Sequence, residues 1–199
     1  MKVKIKKEGK TESFDLINSW SDVNLSTWLQ LIDFETGTKT EEATETIAAL
    51  SDIPKKLVKE LALSDVAVIM SKIGELQSKQ GTELKRLIEI NGVEYGFHPD
   101  LDSISLGEYA DIEQFIKNGI ETNLPELMAV LYRPIKLKKN DIYIIDSYDG
   151  DIRLRAEEMK QMSAEQVQSA LVFFYTLGKV LSEILPLYLM ERLKETKTQ

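Results

Sequence analysis

The chain has 199 residues, of which 43% are hydrophobic and 29% charged, values that are typical of a folded globular protein and exclude an intrinsically disordered one. Its formal net charge of −8 argues against broad binding to nucleic acid or to an anionic membrane surface. Because the sequence contains no cysteine, disulfides, iron–sulfur clusters and thiolate zinc sites are excluded as well.

The positive charge is concentrated in two stretches of this acidic chain. Residues 1–10 contain five lysines and one glutamate but no apolar run, so we expect no signal peptide. The second basic stretch lies in residues 133–139. We interpret both stretches as solvated faces of strands, with a phosphate-binding patch as the alternative. The basic residues are Lys2, Lys4, Lys6, Lys7 and Lys10, and Arg133, Lys136, Lys138 and Lys139.

Residues 1–35 predict a β-hairpin followed by a helix. Val3 and Ile5 alternate with lysines, and Gly9 lies where the chain has to turn. The helix is expected to begin after Asn24, whose side chain is suited to cap it, and to end at Gly37.

Residues 40–80 predict three short helices. Thr40 is the expected cap of the first helix, and Pro54 fits the first turn of the second. The third helix carries Ile69 and Ile73 on one apolar stripe.

Residues 84–150 predict a hairpin, two helices and a second hairpin. Asn91-Gly92 separates two runs of alternating apolar residues, which is typical of a type I′ turn. Ser105 and Glu108 form a capping-box pattern, and Pro125 marks the start of the next helix. Residues 135–145 then alternate again as two short strands.

Residues 153–199 predict a short helix and then a long C-terminal helix that begins after Ser163. The segment 171–190 is apolar on all sides, but Lys179 and Glu183 within it argue against a membrane span. Such a helix is either central in the core or packed against another chain. We expect its first part in the core and the part after Pro186 in contact with a partner or another subunit. The expected contact residues are Leu187, Tyr188, Leu189 and Met190.

Together these elements predict one α+β domain over residues 1–199. We expect it to be mostly helical, with two or three β-hairpins and a long C-terminal helix. Large apolar residues at helical spacing are expected to form the core. They are Trp28, Leu29, Ile69, Ile73, Ile112, Ile116, Leu131, Phe174, Leu177 and Leu181.

Residue types that support catalysis or metal binding are scarce. The only histidine, His98, is interpreted as a surface-loop residue, because no serine in a nucleophile elbow accompanies it. The acidic turn at 146–151 looks like a calcium loop, but the register would place Ile145 and Ala156 at ligand positions. We therefore expect no catalytic, metal or cofactor site and no enzymatic activity.

Four passages resemble short proteins encoded among the structural and tail-assembly genes of tailed bacteriophages. They are Trp20 to Leu25, the segment 88–97 (IEINGVEYGF), the segment 107–113 (GEYADIE) and the segment 131–134 (LYRP) with the hairpin after it. No catalytic motif is involved, so no functional residue is carried over.

The resemblance implies a non-enzymatic protein that acts by protein–protein contact, as a virion component or a tail assembly chaperone. It would bind other phage structural or tail proteins, in the host cytoplasm during assembly or in the virion, and an oligomer is possible. We expect no membrane association and no direct nucleic-acid binding. The alternative is a phage-encoded inhibitor that binds and blocks a host protein, its acidic charge repelling DNA.

Overall fold

The computed structural model describes residues 1–7, 10–34, 37–77, 83–140, 142–173 and 175. These residues form eight α-helices and two antiparallel sheets, which confirms the predicted α+β, mostly helical class. The expected C-terminal helix is described over residues 164–173, and most of its remaining length lies outside the described residues.

The first sheet is the predicted N-terminal hairpin. Strands β1 (Lys2–Lys7) and β2 (Lys10–Asp15) pair antiparallel. Val3 and Ile5 are buried, whereas Lys2 and Lys4, which alternate with them, are exposed, as the two faces of a strand require.

Four helices follow the hairpin: α1 (Leu25–Phe34), α2 (Lys39–Ala49), α3 (Lys55–Val58) and α4 (Leu63–Gln77). The predicted cap of α2 is wrong, because Thr38 and not Thr40 caps the helix. The Glu41 amide donates to Thr38 Oγ1 at 3.3 Å, and the Thr38 amide donates to the Glu41 carboxylate at 3.1 Å. Thr40 has Ala43 three residues later, which cannot return such a bond.

The second sheet joins the two other predicted hairpins. Its strands are β3 (Leu87–Ile90), β4 (Val93–Phe97), β5 (Tyr132–Lys139) and β6 (Ile142–Ile145), in the order β3-β4-β5-β6. Asn91 and Gly92 both have positive φ angles, as the predicted type I′ turn requires. The joining pair is β4 with β5, in which Phe97 lies opposite Tyr132.

Helices α5 (Leu106–Lys117) and α6 (Leu124–Leu131) connect β4 to β5. Helices α7 (Arg153–Met159) and α8 (164–173) follow β6. The Leu25 amide donates to the Met162 carbonyl, and the Ala164 amide donates to the Val23 carbonyl, both at 2.7 Å. These bonds tie the start of α1 to the start of α8.

The buried apolar residues form two clusters that meet at Trp28. The N-terminal cluster lies between the first hairpin and α1–α4, and it includes Val3, Ile5, Trp20, Ile47, Ile69 and Ile73. The sheet cluster lies between the second sheet and α5–α8, and it includes Leu25, Ile88, Phe97, Ile112, Leu131 and Tyr132.

Most of the predicted core residues that the structure describes are in these clusters. Ile69, Ile73, Ile112 and Leu131 are buried, and Trp28 and Leu29 pack against the clusters while partly exposed. Phe174, Leu177 and Leu181 lie outside the described residues.

The prediction for Ile116 is wrong, since this side chain is 42% exposed. Helix α5 turns Glu108, Ile112 and Phe115 toward the interior instead of the stripe Tyr109, Ile112 and Ile116. The inward face therefore includes a charged residue, Glu108, whose ion pair with Arg133 is described below.

Candidate functional site

Three charged or titratable side chains form a buried polar cluster between β4, β5 and α5. Arg133 Nη2 lies 2.7 Å from Glu108 Oε1, and His98 Nε2 lies 3.5 Å from the same oxygen. Each of the three residues is at most 8% exposed. A cluster of this kind has to be paired internally, because an isolated buried charge is strongly destabilising.

Each member of the polar cluster is positioned by a secondary-structure element. His98 follows β4 directly, and its amide donates to the Leu131 carbonyl at 2.7 Å. Arg133 lies in β5 opposite Gly96, which has no side chain to displace it. Glu108 lies in the first turn of α5, where the Ser105 amide donates to its Oε2 at 2.7 Å. One oxygen of Glu108 thus caps the helix while the other binds Arg133.

The pKa values of the cluster describe an ionised pair beside a neutral histidine. Burial lowers the pKa of His98, by more than the Glu108 carboxylate raises it. Burial raises the pKa of Glu108, but hydrogen bonds from Ser105 and the charge of Arg133 outweigh it, and the net pKa lies below its ordinary value. At neutral pH the Glu108 carboxylate therefore stays ionised and His98 is uncharged.

Tyr148 covers the outer side of this polar cluster. The Arg133 guanidinium lies 5.8 Å from the centre of the Tyr148 ring, and the Tyr148 hydroxyl donates to Asp111 on α5. Burial, together with that hydrogen bond and the Asp111 charge, raises the pKa of Tyr148. Arg133 Nε has no hydrogen-bond partner among the described residues. The cluster chiefly fixes α5 and the loop after β6 on the sheet.

The interpretation of His98 as a surface residue is wrong. His98 is buried as a member of the polar cluster, and it lines one side of a cavity of about 160 Å³. Of the three cluster residues, only Glu108 has a signal in the sequence, the capping box. Nothing in the sequence near His98 or Arg133 indicates that β4 and β5 are neighbours. The cavity is lined by Arg86, Phe97, His98, Pro99, Asp100, Leu101 and Phe173.

A second feature is an exposed apolar surface on the β5–β6 hairpin. Leu137 is 63% exposed, Ile142 78% and Ile144 55%. Leu137 lies directly opposite Ile144, and Ile142 lies two residues before Ile144, so the three side chains share one face of the sheet. We call these three residues the edge patch, because β6 is the last strand of the sheet.

The two edge strands of the sheet differ in the exposure of their isoleucine side chains. In β3 the side chains of Ile88 and Ile90 are buried and Glu89 is exposed. In β6 the side chains of Ile142 and Ile144 are exposed. Edge strands that do not pair with another chain usually have charged side chains on their exposed face. Strand β3 follows this rule, whereas β6 does not.

The second basic stretch lies on β5, the strand that contributes Leu137 to the edge patch. Lys136, Lys138 and Lys139 are exposed on β5, and Lys138 pairs with Glu94 on β4. The expectation of a solvated strand face is therefore wrong for Arg133, which is 4% exposed and paired with Glu108. Lys139, opposite Ile142, lies on the face of the edge patch, whereas Lys138, opposite Tyr143, lies on the other face.

The contact residues predicted from the sequence, Leu187, Tyr188, Leu189 and Met190, lie outside the described residues. Sequence reasoning missed the edge patch, although the alternation Ile142-Tyr143-Ile144-Ile145 was available as a signal. The alternation does not reveal which of its two faces is buried.

In the part of the chain that the structure describes, no three His, Asp or Glu side chains lie close enough together to hold a metal ion. In the acidic turn, Asp149 and Asp151 instead lie near Arg155 and Arg153, at 3.7 and 3.4 Å. None of the helices in the described ranges combines the length and apolar character needed to cross a lipid bilayer.

Comparison with protein-family models, with characterised proteins and with solved structures finds no match to this chain. The resemblance to phage proteins therefore depends on the four sequence passages, and the functional argument depends on the geometry above.

Proposed function

We propose that this protein works by protein–protein contact, as a virion component or tail assembly chaperone of a tailed bacteriophage. The single observation that supports contact is the edge patch, Leu137, Ile142 and Ile144, exposed on an edge strand. The phage context is supported by the sequence resemblance alone.

The edge patch is large enough to matter for binding. Full burial of a leucine or isoleucine side chain contributes roughly 1.5–3 kcal/mol, and the three residues are each more than half exposed in the free chain. A few residues in the well-packed centre of an interface usually provide most of its energy. A partner that covers all three would therefore gain a substantial part of its affinity here.

The proposal is tested by placing charge in the edge patch. We expect Ile142→Lys with Ile144→Lys to abolish recovery of phage tail proteins with the tagged chain from infected cells, because a lysine buried without a partner opposes binding. Val68→Lys is the matched control, since Val68 is 54% exposed on α4, outside the edge patch. Circular dichroism is used to check that both variants fold. A folded double variant that retains its tail-protein partners contradicts the proposal.

Mass spectrometry of purified particles separates the two roles. A virion component is found in mature particles, whereas a tail assembly chaperone is found with tail precursors only. Stoichiometric recovery of one host enzyme, in place of tail proteins, would instead favour the inhibitor.

A further inference from the structure

We propose that the C-terminal segment 177–184 packs against one exposed side of helix α5 in the same chain. That side is formed by Leu106, Tyr109 and Ile116, and we call these three residues the α5 flank. The α5 flank lies on a different element from the edge patch, so this docking does not depend on the proposed contact function.

The α5 flank is apolar and exposed. Leu106 is 84% exposed, Tyr109 55% and Ile116 42%. From the pitch of an α-helix, the three side chains lie within about 80° of one another around the axis, so they form one strip along α5. Glu113 lies on the same side, but its carboxylate pairs with Lys117 at 3.0 Å. Contiguous exposed apolar residues of this kind are typical of an interaction surface.

The other sides of α5 are already covered. Glu108 and Ile112 are buried in the interior. On the side opposite the α5 flank, the Tyr148 hydroxyl donates to Asp111, and a β-carbon at Gly107 would lie 3.7 Å from the Tyr148 ring. Of the large apolar side chains on α5, only those of the α5 flank are exposed.

Helix α8 ends close to the beginning of α5. The centre of the Phe173 ring lies 5.5 Å from that of Phe97, and Phe173 lines the small cavity together with His98 and Leu101. His98 Nε2 in turn lies 3.5 Å from Glu108 in the first turn of α5. The chain after Phe173 therefore continues from a point beside the N-terminal end of α5.

The segment 177–184 has apolar residues at the spacing that the α5 flank requires. It lies outside the described residues, and the sequence predicts it as part of the C-terminal helix. Leu177 and Ile184 are seven residues apart, as are Tyr109 and Ile116, so the two apolar strips match in length over about two turns. The apolar strip of the predicted helix consists of Leu177, Val180, Leu181 and Ile184, and its polar side consists of Lys179, Ser182 and Glu183.

A segment of the same chain is favoured over a second copy because it is tethered. Tyr175 is described and lies two positions before Leu177, so the segment is held near α5 at a high effective concentration. A second copy has to reach the same surface from dilute solution. Docking within one chain removes both apolar strips from water at once.

The absence of cysteine allows a direct test, because Lys179→Cys creates a single attachment site for a nitroxide spin label. Lys179 lies on the polar side of the predicted segment, so the label leaves the apolar strip intact. We expect the strongest loss of amide NMR signal at Tyr109 and Ile116, and weaker loss at Val68 on α4 and Ile142 on β6, which are also exposed and apolar. The strongest loss at Val68 or Ile142, or no loss on α5, overturns the inference.

Two adjacent substitutions in the labelled chain form a matched pair. Leu181→Asp places a carboxylate in the apolar strip, where packing would bury it without a partner, so it should abolish the signal loss on α5. Ser182→Asp adds the same charge on the polar side and should leave the loss unchanged. The methyl signals of Ile47 and Ile88, one in each apolar cluster, check that both variants are folded. Signal loss that persists in the folded Leu181→Asp variant contradicts packing through this strip.

A mixed sample identifies the chain that supplies the segment. Spin-labelled chains without isotope enrichment are mixed with unlabelled, isotope-enriched chains, so that only contacts between two chains reduce the detected signals. We expect no signal loss at Tyr109 or Ile116 in this mixture. Loss at these two residues would show that a second copy covers the α5 flank, and the inference of docking within one chain would then be wrong.

Discussion

Glu108 connects a helix terminus to a strand through the two oxygens of one carboxylate. Oε2 accepts the Ser105 amide and caps α5, while Oε1 lies 2.7 Å from the Arg133 guanidinium. Because both partners are fixed, the side chain stays ionised in a place where burial alone would favour the protonated acid. This one carboxylate therefore links the first turn of α5 to β5.

The first prediction concerns this ion pair. We expect Glu108→Gln and Arg133→Met each to lower the free energy of unfolding by about 3–5 kcal/mol, because each leaves the other group buried without its partner. Glutamine preserves the capping box, so its effect reports the lost charge. In urea denaturation the double variant should be destabilised by less than the sum of the single variants.

The exposed ion pair of Lys138 and Glu94 serves as the control. Glu94→Gln should change stability by less than about 1 kcal/mol, since exposed pairs contribute little. Additive effects of Glu108→Gln and Arg133→Met would show that the two side chains are not coupled.

The second prediction concerns the pH dependence contributed by His98. Its pKa in the folded chain lies below the ordinary value of 6.5, because burial outweighs the attraction of Glu108 and Asp100, and Arg133 lowers it further. As the pH falls below 6.5, the unfolded chain binds a proton before the folded chain does, so stability is complete above that pH and decreases below it. The slope can reach at most about 1.4 kcal/mol per pH unit.

The measurement is urea denaturation of the wild type and of His98→Gln across this pH range. The difference between the two removes the contribution of carboxylates that titrate in both. A difference that stays constant with pH, or that grows in favour of the wild type at low pH, contradicts the neutral buried histidine.

At the scale of elements, β4 and β6 approach each other over Gly96. A β-carbon at this position would lie 2.4 Å from Tyr143 Cε2 and 3.0 Å from Ile145 Cγ2. The Tyr143 ring cannot easily move aside, because its hydroxyl donates to the Phe97 carbonyl at 2.6 Å. Glycine is therefore required by this packing and not by a positive φ angle.

The third prediction follows from that approach. We expect Gly96→Ala to destabilise the protein by about 1–3 kcal/mol, as overpacking of a filled interior does. Gly74→Ala in α4 is the matched control, because no heavy atom lies within 4 Å of the added carbon, and it should stabilise the helix by up to about 1 kcal/mol. Thermal denaturation of both variants checks the two signs. If Gly96→Ala and Gly74→Ala change the stability in the same direction, Tyr143 does not cover Gly96.

At the scale of the whole molecule, the two apolar clusters share structural elements. Leu25 begins α1, which packs on α2 in the N-terminal half, yet its side chain belongs to the sheet cluster. Ala164 begins α8 but belongs to the N-terminal cluster. Trp28 contacts both clusters, so neither can lose its packing without affecting the other.

The fourth prediction is that both clusters unfold in one cooperative transition. In urea, the NMR methyl signals of Ile47, in the N-terminal cluster, and of Ile88, in the sheet cluster, should disappear at the same midpoint. Leu25→Ala should lower the free energy of unfolding by about 2–5 kcal/mol, because Leu25 is fully buried. Both midpoints should therefore shift together to lower urea concentration. Separate midpoints would show two independently stable units.

Local signals in the sequence predicted the elements themselves. The Asn91-Gly92 turn, the capping box of Ser105 and Glu108 and the alternation of β1 are each determined by residues a few positions apart. Their physical causes, a positive φ angle, a side-chain hydrogen bond and the two faces of a strand, act within one turn or one strand.

Only the tertiary structure decided which elements meet and which faces they bury. Pairing of β4 with β5 brings His98 and Arg133 together from positions on either side of two helices. That pairing buries His98, and α5 packs with Glu108 toward Arg133 and with Ile116 toward solvent. It also leaves β6 at the edge of the sheet with Ile142 and Ile144 exposed. Periodicity predicts that a strand has two faces, but only contacts between distant parts of the chain determine which of them is covered.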